Sequence, residues 1–262
     1  MMWEHMRTAG RQALGLIVRL SHVLPLVAFL VIWELIAPSP TSGLPPPSTW
    51  WEAVKAMETS GVLGEAIAHT AWTFVAGLGL ACVLGLVMGG LIALSRPLEE
   101  ATTWLIDFGR ALPVVVVIPP AVLVLKYGTT LELFTVCFGA IWPIVLAVVR
   151  GSRDIPPTLF EVGSVFRLSA WTNFRKLVIP ALLPAFLSGV RIATPMALIG
   201  AIAVELLTGS GGIGTELSLA AGRLDTPAVW ALVVVAGIGG WIVNVLSNAA
   251  FRGALRSRGR IS

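Results

Sequence analysis

Long apolar runs alternate with short polar segments along this chain, and six runs approach or exceed the length of a membrane crossing: 22–37, 66–94, 101–125, 131–149, 182–207 and 228–251. A helix needs about 20 residues to span a hydrocarbon core, so each run predicts a helix. The first is short by that measure, and residues 14–20 extend it, with Arg19 returning its charge to the interface along an aliphatic stem. The second is long enough to imply tilt or a surface-lying first turn. Its Gly77, Gly85, Gly89 and Gly90 supply a small-residue face, and the Gly85/Gly89 spacing permits close helix contact. The third contains Asp107, Arg110, Pro113, Pro119 and Pro120. Backbone groups freed by proline must find partners in protein or water, so a kinked helix facing protein or a cavity is expected. The fourth carries Pro143.

The polar segments have their own patterns. Residues 1–21 carry Arg7, Arg11 and Arg19 and predict an amphipathic lead-in at the membrane surface. After the first run, LPPPSTWWEAVKAM places prolines that halt a helix, Ser48 to cap the next, and Trp50 and Trp51 as interfacial anchors, which predicts a short surface helix. The only long polar interruption is 151–184, GSRDIPPTLFEVGSVFRLSAWTNFRKLVIPALLP, where tryptophan, phenylalanine, arginine and proline mix at helical spacing. Such a stretch between two membrane crossings is a structured handle for a soluble partner.

Composition agrees with this pattern. Of 262 residues, 56% are hydrophobic and 12% charged, with a mean hydropathy of +0.88; soluble proteins carry about 25% charged residues. The expected fold class is an all-α integral membrane protein with six transmembrane helices. A transmembrane domain at 22–252 would hold a coupling loop at 151–180, between the lead-in at 1–21 and a basic tail at 253–262. The net charge of +4 and pI near 9.7 raise nucleic acid as a partner, but the cations form no stripe, and no nucleic acid is expected. With the amino terminus in the cytoplasm, thirteen basic residues fall in cytoplasmic segments and three (Lys55, Lys126, Arg223) in outer loops. Six spans with both termini cytoplasmic satisfy the positive-inside rule. The first run meets prolines rather than a small-residue cleavage site, so a retained span is expected instead of a removed signal peptide. Cys82 and Cys137 lie inside apolar runs as small hydrophobes.

The 161–184 segment resembles the coupling motif of binding-protein-dependent ABC importer permeases. Glu161, Val162 and Gly163 stand at its Glu-Ala-Ala start; Phe166, Trp171, Phe174, Arg175 and Lys176 follow, then Ile179, Pro180 and Pro184 near the Leu-Pro that begins the next helix. Two positions depart from the pattern: Gly163 replaces an alanine, and Arg167 stands where the family has glycine. A residue with a Cβ resists left-handed backbone, so Arg167 implies a different turn or a strained one. LPPPSTWWEAV and VELLTGSGGIG resemble two further motifs of the branch that imports taurine, alkyl sulfonates, nitrate or pyrimidine vitamin precursors.

The resemblance implies a type I importer permease fold in the bacterial cytoplasmic membrane. The expected assembly has a second, identical permease copy, two cytoplasmic ATPases and an extracytoplasmic binding protein. The solute would be a small anion such as taurine, an alkyl sulfonate or nitrate. The ATPase lies outside this chain: a phosphate-binding loop needs Gly-Lys before Ser or Thr, and Lys55, Lys126 and Lys176 follow Val, Leu and Arg. ATP and magnesium therefore belong to the partner, and the chain itself is expected to hold no cofactor, metal or catalytic residue. The coupling residues implied are Glu161, Val162, Gly163, Phe166, Arg167, Trp171, Phe174, Arg175 and Pro180. Glu161 is either a helix-start carboxylate favoured by the macrodipole or an ion-pair partner across the interface. Arg167, Arg175 and Lys176 contact the ATPase or lipid headgroups, with headgroups favoured for Lys176.

Ionisable residues inside spans are functional candidates, which adds Asp107, Arg110, Arg191 and Glu205 as pathway or gate residues. Asp107 and Arg110 share a helical face and can neutralise each other. Arg191 snorkels or lines an inner vestibule. Glu205, beside TGSGGIG, either holds the outer loop by accepting backbone hydrogen bonds or shapes the pathway mouth. His22 and His69 lie near span ends with no second ligand at metal spacing. A secondary transporter or channel using Asp107, Arg110 and Glu205 is the alternative, but it gives the long basic loop no task and the two halves show no repeat. A membrane-embedded enzyme would need a His, Cys and carboxylate grouping, and none is expected.

Overall fold

A computed structural model describes residues 24–37, 39 and 42–256, without the side chains of 160, 162, 170 and 254–256. The lead-in at 1–21, the extension at 14–20, His22 and residues 257–262 of the basic tail lie outside the described residues. Among those described, helix is the only regular structure.

The apolar runs become α1 (Leu24–Ile36), α3 (Val62–Ile92), α6 (Thr129–Arg153), α9 (Ile179–Thr208) and α11 (Thr226–Arg256). Between them stand α2 (Pro47–Thr59), α4 (Arg96–Ala111), α5 (Val114–Leu125), α7 (Pro157–Val165), α8 (Ala170–Asn173) and α10 (Gly212–Gly222). Four of the described helices are long and apolar enough to cross a membrane, or five if the bent pair α4–α5 counts as one crossing; α1, as described, is shorter.

The kinked helix expected at 101–125 is in fact two helices, α4 and α5, meeting at 99°. Pro113 is the cause: it disfavours helical backbone at Leu112, which is extended at ψ 119°. Ser95 caps α4 by accepting a hydrogen bond from the Leu98 amide at 3.3 Å. Ser48 does not cap α2 as expected. It lies inside the helix, and its amide and hydroxyl both donate to the Glu34 carboxylate of α1, at 3.0 and 2.7 Å. Trp33, Trp50 and Trp230 then lock α1, α2 and α11 together, with ring centroids 4.9 to 5.9 Å apart.

The core forms around α6, in which 56% of the apolar window is buried, against 11% in α11. Two ridges of small residues clamp it. On α3, Gly77, Ala81, Gly85 and Gly89 recur every fourth residue, and a Cβ at 77, 85 or 89 would fall within 2.5 to 2.8 Å of Val136, Ile144 or Val148. Gly90, expected on the same face, meets nothing. On α9, Gly189, Ala193, Ala197 and Ala201 repeat the spacing, and a Cβ at Gly189 would lie 2.8 Å from Ala147. Lipid offers little hydrophobic drive between helices, so close van der Waals packing of this kind holds a membrane core together.

Candidate functional site

At the end of the bundle where α6 stops and α9 begins, the chain builds a compact loop. Helix α7 closes through a left-handed residue: the Leu168 amide donates to the Gly163 carbonyl at 2.9 Å and the Arg167 amide to the Ser164 carbonyl at 3.0 Å. The left-handed residue is Arg167, at φ 47°. The turn is thus one that glycine favours, held by arginine at a cost of roughly 1–2 kcal/mol. Ser169 caps α8 by accepting from the Thr172 amide at 3.2 Å. The two helices touch where Gly163 meets Asn173; an added Cβ would come within 2.7 Å of the Asn173 amide oxygen, a physical reason for glycine at 163.

The loop displays its apolar side chains. Val165 is 78% exposed, Phe166 72%, Trp171 67% and Phe174 46%, with Trp171 stacked on Phe174 at 6.0 Å. Glu161, Arg167, Arg175 and Lys176 are also exposed. Glu161 lies beyond the first turn of α7, which contains no acidic residue; this removes the helix-start role. The Val162 side chain lies outside the described residues. A π-helical stretch, Phe174–Val178, joins α8 to α9, so that Pro180 lies at the second position of α9 and Trp171–Thr208 is one rod of 38 residues. The fifth span therefore begins well before the expected residue 182, and one exposed helix of the loop is mechanically continuous with it.

A cleft of about 780 Å³ opens between α4, α6 and α9. Asp107, Arg110 and Arg150 line it among apolar residues that include Val114, Phe138, Trp142, Ile192 and Met196. Arg110 donates to Asp107 at 3.2 Å. Arg191 is not in this lining; its guanidinium stands over the Phe251 ring of α11, 5.5 Å from the centroid.

At the opposite end, Glu205 is fully buried and accepts hydrogen bonds from the Thr70 hydroxyl at 2.8 Å and the Gly214 amide at 3.0 Å. Gly211 and Gly212 have φ 113° and 83°, and a Cβ on Gly212 would collide with the Glu205 carboxyl. The glycines of TGSGGIG thus let the first turn of α10 settle on that carboxylate. Thr70 completes the clasp by accepting from the Ile213 amide at 2.9 Å. His69 lies 3.5 Å from Glu205 and 3.8 Å from Glu132, and Thr73 donates to Glu132 at 3.1 Å. A histidine with two buried carboxylates therefore exists, against expectation, although no group of three His, Cys, Asp or Glu among the described residues is arranged to hold a metal ion. The sequence signal for this cluster was Glu132 inside an apolar run, with His69 and Thr73 one turn apart. Glu205 lies in the far-end cluster and Asp107 and Arg110 in the cleft, so these carboxylates and arginine form no common site.

The chain belongs to the family of binding-protein-dependent transport system inner membrane components, whose family model matches residues 81–257. It is therefore a membrane-spanning translocation subunit of an ABC importer, a class that works with ATPase subunits and a binding protein. Among curated relatives, the bicarbonate transport system permease protein CmpB of Synechocystis sp. is 29% identical over 204 residues, 72% of each chain. The nitrate import permease protein NrtB of Synechococcus elongatus is 30% identical over 208 residues, 74% of each chain. The fold is similar to that of the MetNI methionine ABC transporter in an inward-facing conformation, with a TM-score of 0.61 and 19% identity over 75% of this chain and 97% of that one.

Proposed function

We propose that this permease imports a small anion of the bicarbonate or nitrate type, as a homodimer driven by two cytoplasmic ATPases that bind ATP and magnesium. The chain is non-catalytic and holds no cofactor of its own. It crosses the inner membrane six times with both termini in the cytoplasm. A binding protein delivers the solute at the Glu205 end, and the α7–α8 loop lies on the cytoplasmic side. The relatives named for bicarbonate and nitrate support the substrate class.

One observation carries the coupling role: an exposed apolar cluster, Val165, Phe166, Trp171 and Phe174, sits on a polar loop where α6 and α9 meet. Exposed aromatics of this kind mark a protein interface. In the proposed mechanism, ATP binding moves the ATPase surface under α7, and the unbroken rod from Trp171 to Thr208 carries that motion through α9 to the clasp at its far end. Glu161, Arg167 and Arg175 surround the apolar cluster and pair with the partner.

The test is reconstitution with the ATPase and binding protein in liposomes, followed by uptake of labelled nitrate and bicarbonate. Accumulation of either anion that requires both ATP and the binding protein is the expected result. Uptake that proceeds without ATP, driven by an ion gradient, would instead establish a secondary transporter.

A further inference from the structure

The charges lining the cleft do not balance. Asp107 and Arg110 pair with each other, whereas the Arg150 guanidinium has no ion pair or hydrogen bond among the described residues. Its neighbour one turn on, Arg153, is engaged by Glu99 of α4. The backbone at Arg150 is also held in position, with the side chain exposed at the cleft. The adjacent Gly151 packs so closely on Ala185 that a Cβ could not fit, which fixes α6 against α9 at the backbone next to Arg150. On the α4 side, Gly109 packs directly on Trp142. Two helices are thus fixed around a cleft with one surplus positive charge and largely apolar walls, an arrangement that concentrates field lines and attracts counter-ions.

We propose that Arg150, assisted by the Asp107-neutralised Arg110, makes this cleft a weak receiving site for a small monovalent anion, and that Arg150 sets its preference for anions over cations. This inference rests on the anion-import function above. The volume of about 780 Å³ has room for roughly 25 waters at about 30 Å³ each, so the anion is held hydrated. One surplus charge suffices to draw it in, and the pairing of Arg110 prevents a second from trapping it; conduction needs a site that also lets go.

The experiment uses the full chain, assembled with its ATPase in lipid nanodiscs. Ser188→Cys places a reporter thiol on the cleft lining, and the parent chain without it corrects for Cys82 and Cys137. The measured quantity is the ratio of modification rates by anionic and cationic methanethiosulfonates of similar size. Adding Arg150→Gln should lower that ratio at least about twofold, the effect of one unit charge acting across about one Debye length (~8 Å) of salt water. Arg150→Lys should retain the ratio, which separates charge from folding. In proteoliposomes, Arg150→Gln should raise the KM for nitrate or bicarbonate several-fold, and Arg150→Lys should restore it. An unchanged ratio in Arg150→Gln overturns the inference even if anion import is intact. A ratio that falls as expected, in a complex that imports only a neutral or cationic solute, overturns the anion-import function and with it the role of Arg150 in selectivity.

Discussion

Replacing Glu205 with Ala should release α10 from the bundle. The carboxylate is fully buried and accepts two hydrogen bonds, from the Thr70 hydroxyl at 2.8 Å and the Gly214 amide at 3.0 Å. Hydrogen bonds to a charged group contribute roughly 1.5–3 kcal/mol each. Both are lost in the variant, and the Gly214 amide is left buried without an acceptor. Because the two share one carboxylate and are not additive, the local cost is about 3–5 kcal/mol. Hydrogen exchange reads local opening directly. Amides in the first turn of α10, from Gly212 to Glu216, should exchange about 10²- to 10⁴-fold faster, while those at the centre of α6 stay protected. Glu205→Gln keeps an acceptor oxygen in place and should fall between the two. Unchanged exchange in Glu205→Ala would refute the clasp and return Glu205 to the pathway mouth.

Three further outcomes follow from the packing and the loop. Gly85→Leu drives a side chain into Ile144, which an added Cβ would already approach at 2.8 Å; overpacking of this kind costs roughly 1–3 kcal/mol or more and should lower the melting temperature in detergent, whereas Gly90→Leu, facing open space, should not. Arg167→Gly removes a left-handed arginine at φ 47°; the relief of about 1–2 kcal/mol is offset by about 0.4–1 kcal/mol of unfolded-chain entropy. The net gain should appear as slower proteolysis of the 151–180 loop, with transport retained. Glu161→Lys reverses an exposed charge on α7 and should leave the chain in the membrane while weakening ATPase retention on purification; normal uptake by that variant would exclude Glu161 from coupling.

Most of the scaffold was legible because lipid imposes a simple rule: long apolar runs become helices. The Gly85/Gly89 spacing, read as a packing face, lies directly on Ile144 and Val148. The bend at Pro113 was legible only as a kink, since one proline disrupts a helix without stating the angle at which the chain resumes. Spacing suggested Ser48 as a cap, but α2 already begins at Pro47, and Ser48 gives its own amide and hydroxyl to Glu34 of another helix. Contacts between distant positions left the weakest trace. Thr70 and Glu205 are 135 residues apart, and nothing in either neighbourhood announces the other. Arg150 counts in the sequence only as one of the thirteen cytoplasmic basic residues; the packing of α6 with α4 and α9 places it in a cleft. At Arg167 the sequence posed an alternative between a different turn and a strained one, and the backbone adopts the left-handed turn with arginine in it.

Coupling through the α7–α8 loop is the central claim, and a photo-reactive phenylalanine analogue at position 166 tests it most directly. Phe166 is 72% exposed and bordered by Val165, also exposed, so the probe can be introduced without disturbing the core. Irradiation of native membranes, followed by identification of the adduct, should give a single cross-link to a nucleotide-binding ATPase subunit, and its yield should change when ATP and vanadate trap the complex. Adducts to lipid alone, with the ATPase present in the same membrane, would contradict the account.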